Sequence, residues 1–157
     1  MPFSLKPASL KDKPLIHSML QPYLTDLSRF PDEHADYKDK NGIYIYPYLD
    51  AYWVENERFP YLLIADGQLA GFVLVRRDRD YWEMAEFYVK PEFRRRRLAQ
   101  YSATEIFLKH PGAWRIGFNK HNKASRALWK KLSECLSKNA ATEGETDGSH
   151  DYIIFSV

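Results

Sequence analysis

The segment from Tyr61 to Val75 restricts the fold of this chain more than any other segment. It reads YLLIADGQLAGFVLV, so two apolar runs of strand length flank the dipeptide Asp66-Gly67. Asp-Gly favours the tight turns that connect neighbouring antiparallel strands, because both residues adopt positive φ at a small steric cost. The segment therefore predicts a β-hairpin.

Further strands and helices are predicted on both sides of this hairpin. Strands are predicted at Phe3 to Lys6, Trp82 to Val89, Trp114 to Phe118 and the final YIIFSV. Helices are predicted from Ser9 to Pro31, from Tyr48 to Glu57, from Arg97 to Lys109 and over NKASRALWKKLSECL after its N-cap Asn122. Ser137 to Ser149 is polar and is predicted to be mostly loop. This order of elements predicts an α/β chain with a mixed sheet and about four flanking helices.

Length and composition predict one domain, residues 1–157, in a reducing compartment. The chain is long enough for one sizeable core and too short for two. Hydrophobic residues make up 45% of it, which excludes a disordered chain, and the net charge of +2 is too small for a general polyanion binder. One cysteine, no secretory signal and no apolar stretch of roughly 20 residues predict a cytoplasmic protein without membrane contacts. The five histidines lack metal-ligand spacing, so no metal is predicted.

Four consecutive arginines, Arg94 to Arg97, lie between the strand that ends at Val89 and the helix predicted from Arg97. A helix N-terminus presents unpaired N–H groups and the positive end of the helix dipole, so the amides of residues 94–99 can bind phosphate oxygens. A nucleic-acid surface needs further basic clusters with interleaved aromatic residues, and no second cluster of this density occurs. The run predicts a phosphate cradle for a small ligand, and nucleic-acid binding is the less favoured alternative.

Two motifs at matching separation carry a resemblance to a known superfamily. VKPEFRRRRLA, from Val89 to Ala99, resembles the pyrophosphate-binding motif V-x-P-x-x-R-x-x-G-x-G/A of the GNAT superfamily of acyl-CoA-dependent N-acyltransferases, with Arg97 replacing the first glycine. NKASRALWKKL resembles the superfamily's N-x-x-x-x-A-L-Y-x-x-L helix, with Trp129 in place of tyrosine. The resemblance runs from Tyr48 to Leu132 and extends to a subgroup of uncharacterised bacterial predicted acetyltransferases.

The resemblance implies a fold, a cosubstrate and a reaction. The fold is a mostly antiparallel sheet in which one pair of strands splays apart at a bulge. The reaction is direct transfer of an acetyl group from acetyl-CoA to a primary amine in a ternary complex. By resemblance, the residues that bind acetyl-CoA are Phe87, Tyr88, Val89, Arg94, Arg95, Arg96, Arg97, Leu98, Ala99, Asn122 and Trp129. For the first three, an ordinary core strand is the alternative.

Two glutamates on the predicted strand are candidates for the general base. An alkylammonium has a pKa near ~10, and attack on a thioester requires the neutral amine, so a base is useful. Superfamily members often use a glutamate on this strand. The spacing of Glu83 and Glu86 puts them on opposite faces of a regular strand, but a bulge disturbs this parity, so both remain candidates. Glu86, within AEFYV, is the first choice.

Trp129 leaves the general acid unassigned. The matching tyrosine of many superfamily enzymes is thought to protonate the leaving thiolate, which an indole N–H cannot do near neutral pH. Trp129 lies one residue off the apolar stripe predicted for its helix, so it packs either against pantetheine or in the core. That stripe consists of Ala124, Leu128, Leu132, Cys135 and Leu136. Tyr88 and Tyr101 are weakly supported acids, and a thiolate also leaves without enzymic help.

The acceptor is predicted only as a small-molecule or peptide amine. Aromatic residues between Ile43 and Trp53 either line an acceptor pocket or pack in the core, and packing is favoured. A homodimer is left open, and neither nucleic acid nor a membrane is an expected partner. A non-catalytic acyl-CoA-binding regulatory module remains the alternative function, because Arg97 and Trp129 depart from the motifs.

Overall fold

A seven-stranded sheet forms the centre of the fold in the computed structural model, which describes residues 2–31, 33, 37–146 and 148–157. In chain order its strands are β1 (Phe3–Pro7), β2 (Arg58–Ala65), β3 (Gln68–Asp78), β4 (Tyr81–Val89), β5 (Ala113–Asn119), β6 (Thr142–Glu145) and β7 (His150–Ser156). Their spatial order is β1-β2-β3-β4-β5-β7-β6. Neighbouring strands are antiparallel except for β4 and β5, which are parallel. The mixed, mostly antiparallel sheet is confirmed.

Strands β2 and β3 form the predicted hairpin. Their register pairs Tyr61 with Val73 and Ala65 with Gln68. Asp66 has a φ of 52° and Gly67 a φ of 74°, and two consecutive positive φ angles are what the twist-matched two-residue hairpin turn requires.

The described residues form three α-helices rather than about four: α1 (Lys13–Leu27), α2 (Leu98–Lys109) and α3 (Lys123–Leu136). The helix predicted from Tyr48 to Glu57 is only a 3-10 turn at Asp50–Trp53. It stops there because the Arg77 amide donates to the Glu57 carbonyl at 2.8 Å, which already extends the sheet. None of the described helices is long and apolar enough to cross a membrane.

The helices cover the two faces of the sheet unequally. Helix α1 packs on one face, where Leu20 and Leu24 join Phe72 and Leu74 of β3 in one buried cluster. Helices α2 and α3 pack on the other face, where the alternate residues of β3 point. That second cluster includes Val73, Val75, Ile106, Phe107, Trp129 and Leu132. We call these the α1 face and the α2/α3 face.

The structure differs from the prediction at two places near the end of the chain. The described residues between Ser137 and Ser149 are mostly loop, as predicted, but Thr142–Glu145 form an unpredicted strand, β6, which pairs with β7 along its whole length. Strand β6 is a polar edge strand, TEGE, and so lacks the apolar alternation by which strands are predicted. On α3, the buried face is centred on Trp129, Leu132 and Ser133, and Cys135 is exposed.

Strands β4 and β5 separate soon after they meet. Trp82 and Trp114 are their single paired position in the described sheet, so the two strands splay along the rest of their length. On its other side, β4 carries a bulge, because Glu86 pairs with Leu74 while Met84 pairs with Val75. Ala85 is therefore the extra residue. The splayed pair predicted from the resemblance is confirmed.

Gly71 allows β3 to approach the end of β4. A Cβ atom at this position would lie 2.0 Å from the Tyr88 carbonyl oxygen, far inside van der Waals contact. We therefore expect Gly71→Ala to lower the free energy of unfolding by roughly 1–3 kcal/mol, the usual effect of overpacking. Urea denaturation measures this change.

Gly117→Ala in β5 is the matched control, because the nearest atom to its added Cβ is 3.9 Å away. Its free energy of unfolding should stay within about 0.5 kcal/mol of the wild-type value. Equal losses in the two variants would contradict the steric account.

Candidate active site

The separation of β4 from β5 opens a cleft of about 880 Å³. Side chains of α1, β4, β5 and α3 line it, together with five residues of the segment that follows α1, namely Arg29, Phe30, Glu33, Tyr46 and Tyr48. Because β4 has no strand partner here beyond Trp82, one edge of its backbone faces the cleft. The cleft therefore offers a strand edge to which an extended ligand can hydrogen-bond.

The bulge at Ala85 places both candidate glutamates on the α1 face. Glu83 pairs with Arg76 and Glu86 pairs with Leu74, and these partners are two residues apart on β3. Residues two apart on a strand share a face, so the side chains opposite them do too. In a regular strand these two side chains would point to opposite faces, but here they share one face. The two carboxylates therefore differ in their neighbouring residues and not in the face of the sheet on which they lie.

Glu86 is held by two tyrosines. The Tyr23 hydroxyl of α1 donates to its Oε2 at 2.6 Å, and the Tyr46 hydroxyl is 3.4 Å from its Oε1. Burial raises the pKa of Glu86 to about 7; the hydrogen bond from Tyr23 opposes this, and the Glu33 carboxylate adds to it. Burial also raises the pKa of Tyr23 well above its usual value, so this hydroxyl remains a donor. Glu86 thus exchanges its proton near neutral pH.

Glu83 has different surroundings. Its Oε2 accepts from Arg76 Nε at 2.8 Å and lies 2.7 Å from Arg76 Nη2. Its Oε1 accepts from both Nε and Nη2 of Arg115 in β5. Two guanidinium groups therefore occupy both oxygens, and Glu83 joins β3, β4 and β5 beside the point where the splay begins.

Two side-chain contacts, one from β5 and one from β7, hold the segment after α1 across the cleft. Asn119 Nδ2, at the end of β5, donates to the Pro31 carbonyl at 2.6 Å. His150 Nε2, at the start of β7, is 3.1 Å from Glu33 Oε1. These contacts bring the Glu33 carboxylate into the cleft, where its charge acts on Glu86.

The arginine run forms a turn of unusual backbone conformation before α2. Arg95 and Arg97 have φ angles of 62° and 59°, in the left-handed region that favours glycine. Both side chains are exposed, so an arginine fits where the superfamily motif has glycine. Within the described chain, the amides of residues 95–97 have no hydrogen-bond acceptor, and the first-turn amides of α2 follow them.

The four arginine side chains are not equivalent. Arg94 Nε donates to the Val89 carbonyl at 2.9 Å, and Arg94 Nη2 is 3.6 Å from Asp26. Arg96 Nη1 is 3.8 Å from Asp66. Among the described residues, Arg95 and Arg97 contact no acidic partner. The cationic charge available to a ligand at this turn comes mainly from these two side chains.

Most of the predicted cosubstrate residues line the cleft, whereas residues 95–98 are not part of its lining. Those that line it are Phe87, Tyr88, Val89, Arg94, Ala99, Asn122 and Trp129. The Trp129 ring packs edge-on against the Phe87 ring, with their ring centres 5.4 Å apart. Trp129 also lines the cleft, so it both packs in the core and forms part of the cleft wall. Asn122 caps α3 by accepting from the Ser125 amide at 3.1 Å, as predicted. Tyr88 lies on the α1 face, while Leu98 is buried beneath the arginine turn. Ala99 and Val89 line the cleft.

Several residues around Glu86 were not predicted from the sequence. Tyr23 counted only as an apolar position of its helix, although a tyrosine on a buried face needs a partner for its hydroxyl. The aromatic segment before β2 divides into two sets. Tyr44 and Tyr52 are buried in the core as favoured, whereas Tyr46 and Tyr48 line the cleft.

Solved structures with the same fold include three acetyltransferases. An acetyltransferase from Thermus thermophilus is 15% identical with a TM-score of 0.72, covering 100% of this chain and 98% of its own. PaiA N-acetyltransferase from Thermoplasma acidophilum, in complex with coenzyme A, is 15% identical with a TM-score of 0.68 over 100% of both chains. The ribosomal-protein-S18-alanine N-acetyltransferase from Escherichia coli is 16% identical with a TM-score of 0.64, covering 99% of this chain and 93% of its own. At these identities the likeness concerns the fold alone.

Sequence comparison gives the family. A search among curated proteins finds no match. The acetyltransferase (GNAT) family matches residues 17–133, a span that contains the arginine turn, both glutamates and most of α3. The chain therefore belongs to the acetyltransferase (GNAT) family and is an acyltransferase.

Proposed function

We propose that the protein transfers the acetyl group of acetyl-CoA to a primary amine by direct attack in a ternary complex. The observation that carries this proposal is the cleft that runs to Glu86 from Arg94 and Ala99, which flank residues 95–98 of the arginine turn. A phosphate site and a carboxylate with a pKa near 7 are what acyl-CoA and an amine acceptor require, respectively. Relatives in fold support the choice, since one binds coenzyme A and another is an alanine N-acetyltransferase.

Acetyl-CoA would bind by its pyrophosphate to the amides of residues 95–99 and to the Arg95 and Arg97 side chains. Its pantetheine would run along the free edge of β4 past Phe87, with Trp129 as the opposite wall. This arrangement brings the thioester into the splay between β4 and β5. The acceptor amine would then approach from the α1 face, where Glu86 lies.

Glu86 would accept a proton from the acceptor ammonium, either directly or through a water molecule. The neutral nitrogen then attacks the thioester carbon. A C–N bond forms, the C–S bond breaks, and the electron pair leaves with the sulfur as coenzyme A thiolate. The nitrogen, positively charged after the attack, releases its extra proton to solvent and becomes a neutral amide. Trp129 cannot protonate that sulfur, so the thiolate takes its proton from solvent.

The alternative is a regulatory module that binds acyl-CoA without catalysis. Trp129, in place of a proton-donating tyrosine, favours this alternative. Glu86 argues against it, because burying a carboxylate is costly and a module without chemistry has no use for it. Nucleic-acid binding is weakened, because two of the four arginines already contact Asp26 and Asp66.

The arginine turn should govern affinity for the phosphate-bearing part of coenzyme A. We expect Arg95→Gln and Arg97→Gln each to weaken acetyl-CoA binding by roughly 3–10-fold, because each removes one charge beside the phosphates. Binding of pantetheine, which carries no pyrophosphate, should not change. Isothermal titration calorimetry measures both affinities.

Arg79→Gln is the matched control, since Arg79 is also an exposed arginine with a positive φ of 57° but lies between β3 and β4, away from the arginine turn. It should bind acetyl-CoA as the wild type does. Absence of any acetyl-CoA binding by the wild-type protein at millimolar concentration would reject both the enzyme and the regulatory module.

Glu86 should set the rate of transfer without affecting acetyl-CoA affinity. We expect Glu86→Gln to lower turnover by roughly 10²–10⁴-fold, the usual contribution of a general base. Glu83→Gln should instead lower the melting temperature, because Arg76 and Arg115 lose their shared carboxylate. Full activity of Glu86→Gln at neutral pH would refute this role.

The pH profile should report the Glu86 environment. A general base acts when deprotonated, so kcat should rise with pH through about 7. The hydrogen bond from Tyr23 lowers the pKa of Glu86, so Tyr23→Phe should move the midpoint of this rise to higher pH. A midpoint that does not move, or that moves to lower pH, would show that another group controls the profile.

A further inference from the structure

Arg58, the first residue of β2, is a largely buried cation without a full set of partners. Its side chain is 14% exposed and lines the cleft. Its Nε is 3.4 Å from Glu55, a residue whose own side chain is 55% exposed. Among the described residues, Glu55 is the one acidic partner of Arg58, and the guanidinium group has beside it only the neutral Tyr52 hydroxyl, without ordinary hydrogen-bond geometry. Burying a charge is costly unless it is well paired, and Glu55 reaches only the Nε from a largely exposed position, so the terminal nitrogens of Arg58 are suited to bind a further anion.

The groups that surround Arg58 are aromatic and do not supply that anion. Its guanidinium carbon is 5.4 Å from the ring centre of Tyr48 and 5.2 Å from that of Tyr52. The Tyr52 hydroxyl is buried and, among the described residues, forms no hydrogen bond of ordinary geometry. Two ring faces therefore fix the guanidinium group in place and leave its terminal nitrogens as donors.

The charges beside Arg58 balance without it. Arg58 pairs with Arg76 across β2 and β3, and Arg76 pairs with Glu83 across β3 and β4. Glu83 and Asp78 together neutralise Arg76 and Arg115. Arg58 takes no part in this network, and its one acidic partner among the described residues is the exposed Glu55.

The sheet places Arg58 within reach of a small molecule bound at Glu86. Arg58, Arg76 and Glu83 lie side by side on β2, β3 and β4. The row that contains Glu86 also contains Pro60 and Leu74, and it lies two residues further along β2 and β3. Strand spacing and rise give roughly 12 Å between the Cα atoms of Arg58 and Glu86. Both side chains line the same cleft, so their charged ends can contact opposite ends of one acceptor.

We propose that the acceptor is an amine that also carries a carboxylate, and that Arg58 binds this carboxylate while the amine lies at Glu86. This inference rests on the proposed acetyl transfer. A carboxylate matches the planar donors of a guanidinium group, which bind it in a two-pronged manner. The Glu33 and Glu86 carboxylates at the other end suit the ammonium form in which an amine arrives. Tyr46 and Tyr48 give the cleft an aromatic wall between the two ends.

Matched acceptors test this preference in the wild-type protein. One pair is phenylalanine and phenethylamine, and another is 4-aminobutyrate and propylamine; the members differ by a carboxylate. The pairs separate the amine from the carboxylate by one and by three carbons. With acetyl-CoA-dependent thiol release as the assay, kcat/KM should be at least about 10-fold higher for the carboxylate member of the better pair.

Variants of Arg58 test whether this residue causes the preference for acceptors that carry a carboxylate. Arg58→Gln should reduce that preference by roughly 10–100-fold, because kcat/KM falls far more for the carboxylate member than for the amine that lacks a carboxylate. Thiol release with the latter amine also shows that the variant is folded. Arg58→Lys keeps the charge but loses the two-pronged contact, so its preference should be intermediate. Arg79→Gln, which removes an exposed arginine elsewhere, should keep the wild-type preference.

The outcomes separate this inference from the proposed function. Equal kcat/KM for both members of both pairs, or an equal loss for both members in Arg58→Gln, would overturn the inference while acetyl transfer stands. If Arg58→Gln does not fold, the wild-type pairs and Arg58→Lys still decide the question. Thiol release with none of the amines, together with no binding of acetyl-CoA, would instead reject the proposed function.

Discussion

The extra residue in β4, Ala85, is the feature on which the site depends. It brings Glu86 to the α1 face beside Tyr23, where a regular strand would separate it from Glu83. The same strand leaves its other neighbour, β5, after a single paired position. One irregular strand thus provides both a carboxylate and a free backbone edge, which are the two elements that the proposed transfer needs.

Glu86 and Glu83 show how surroundings assign different roles to one residue type. Two guanidinium groups neutralise Glu83, so it contributes to the sheet. Among the described residues, the donors to Glu86 are the hydroxyls of Tyr23 and Tyr46, and burial raises the pKa of Glu86 to about 7. In the unfolded chain this carboxyl has its ordinary pKa, so it ionises at a lower pH than in the folded protein. The free energy of unfolding therefore decreases as the pH rises from the ordinary carboxyl range towards 7, and the fold tolerates this loss at the residue proposed as the base.

Local patterns predicted the hairpin, the Asn122 cap and the order of most elements, because turn and cap preferences depend on neighbouring residues. These patterns failed where contacts between residues distant in sequence determine the local structure. Residues 48–57 read as a helix, yet pairing of Glu57 with β3 leaves room for a single turn. Strand β6 has no apolar face to reveal it. The environments of Glu83 and Glu86 depend on Tyr23, Arg76 and Arg115, residues distant in sequence that no local pattern connects to them.

A ¹³C NMR titration of the Glu86 side-chain carboxyl tests the central claim most directly, because it reports this carboxylate without any substrate. The signal can be assigned by its absence from Glu86→Gln. Our account predicts a titration midpoint near pH 7, produced by burial in the cleft against Tyr23 and Tyr46. A midpoint at the ordinary glutamate value of about 4.3 would show that this carboxylate is solvated, and would contradict the account of Glu86 as a base poised at neutral pH.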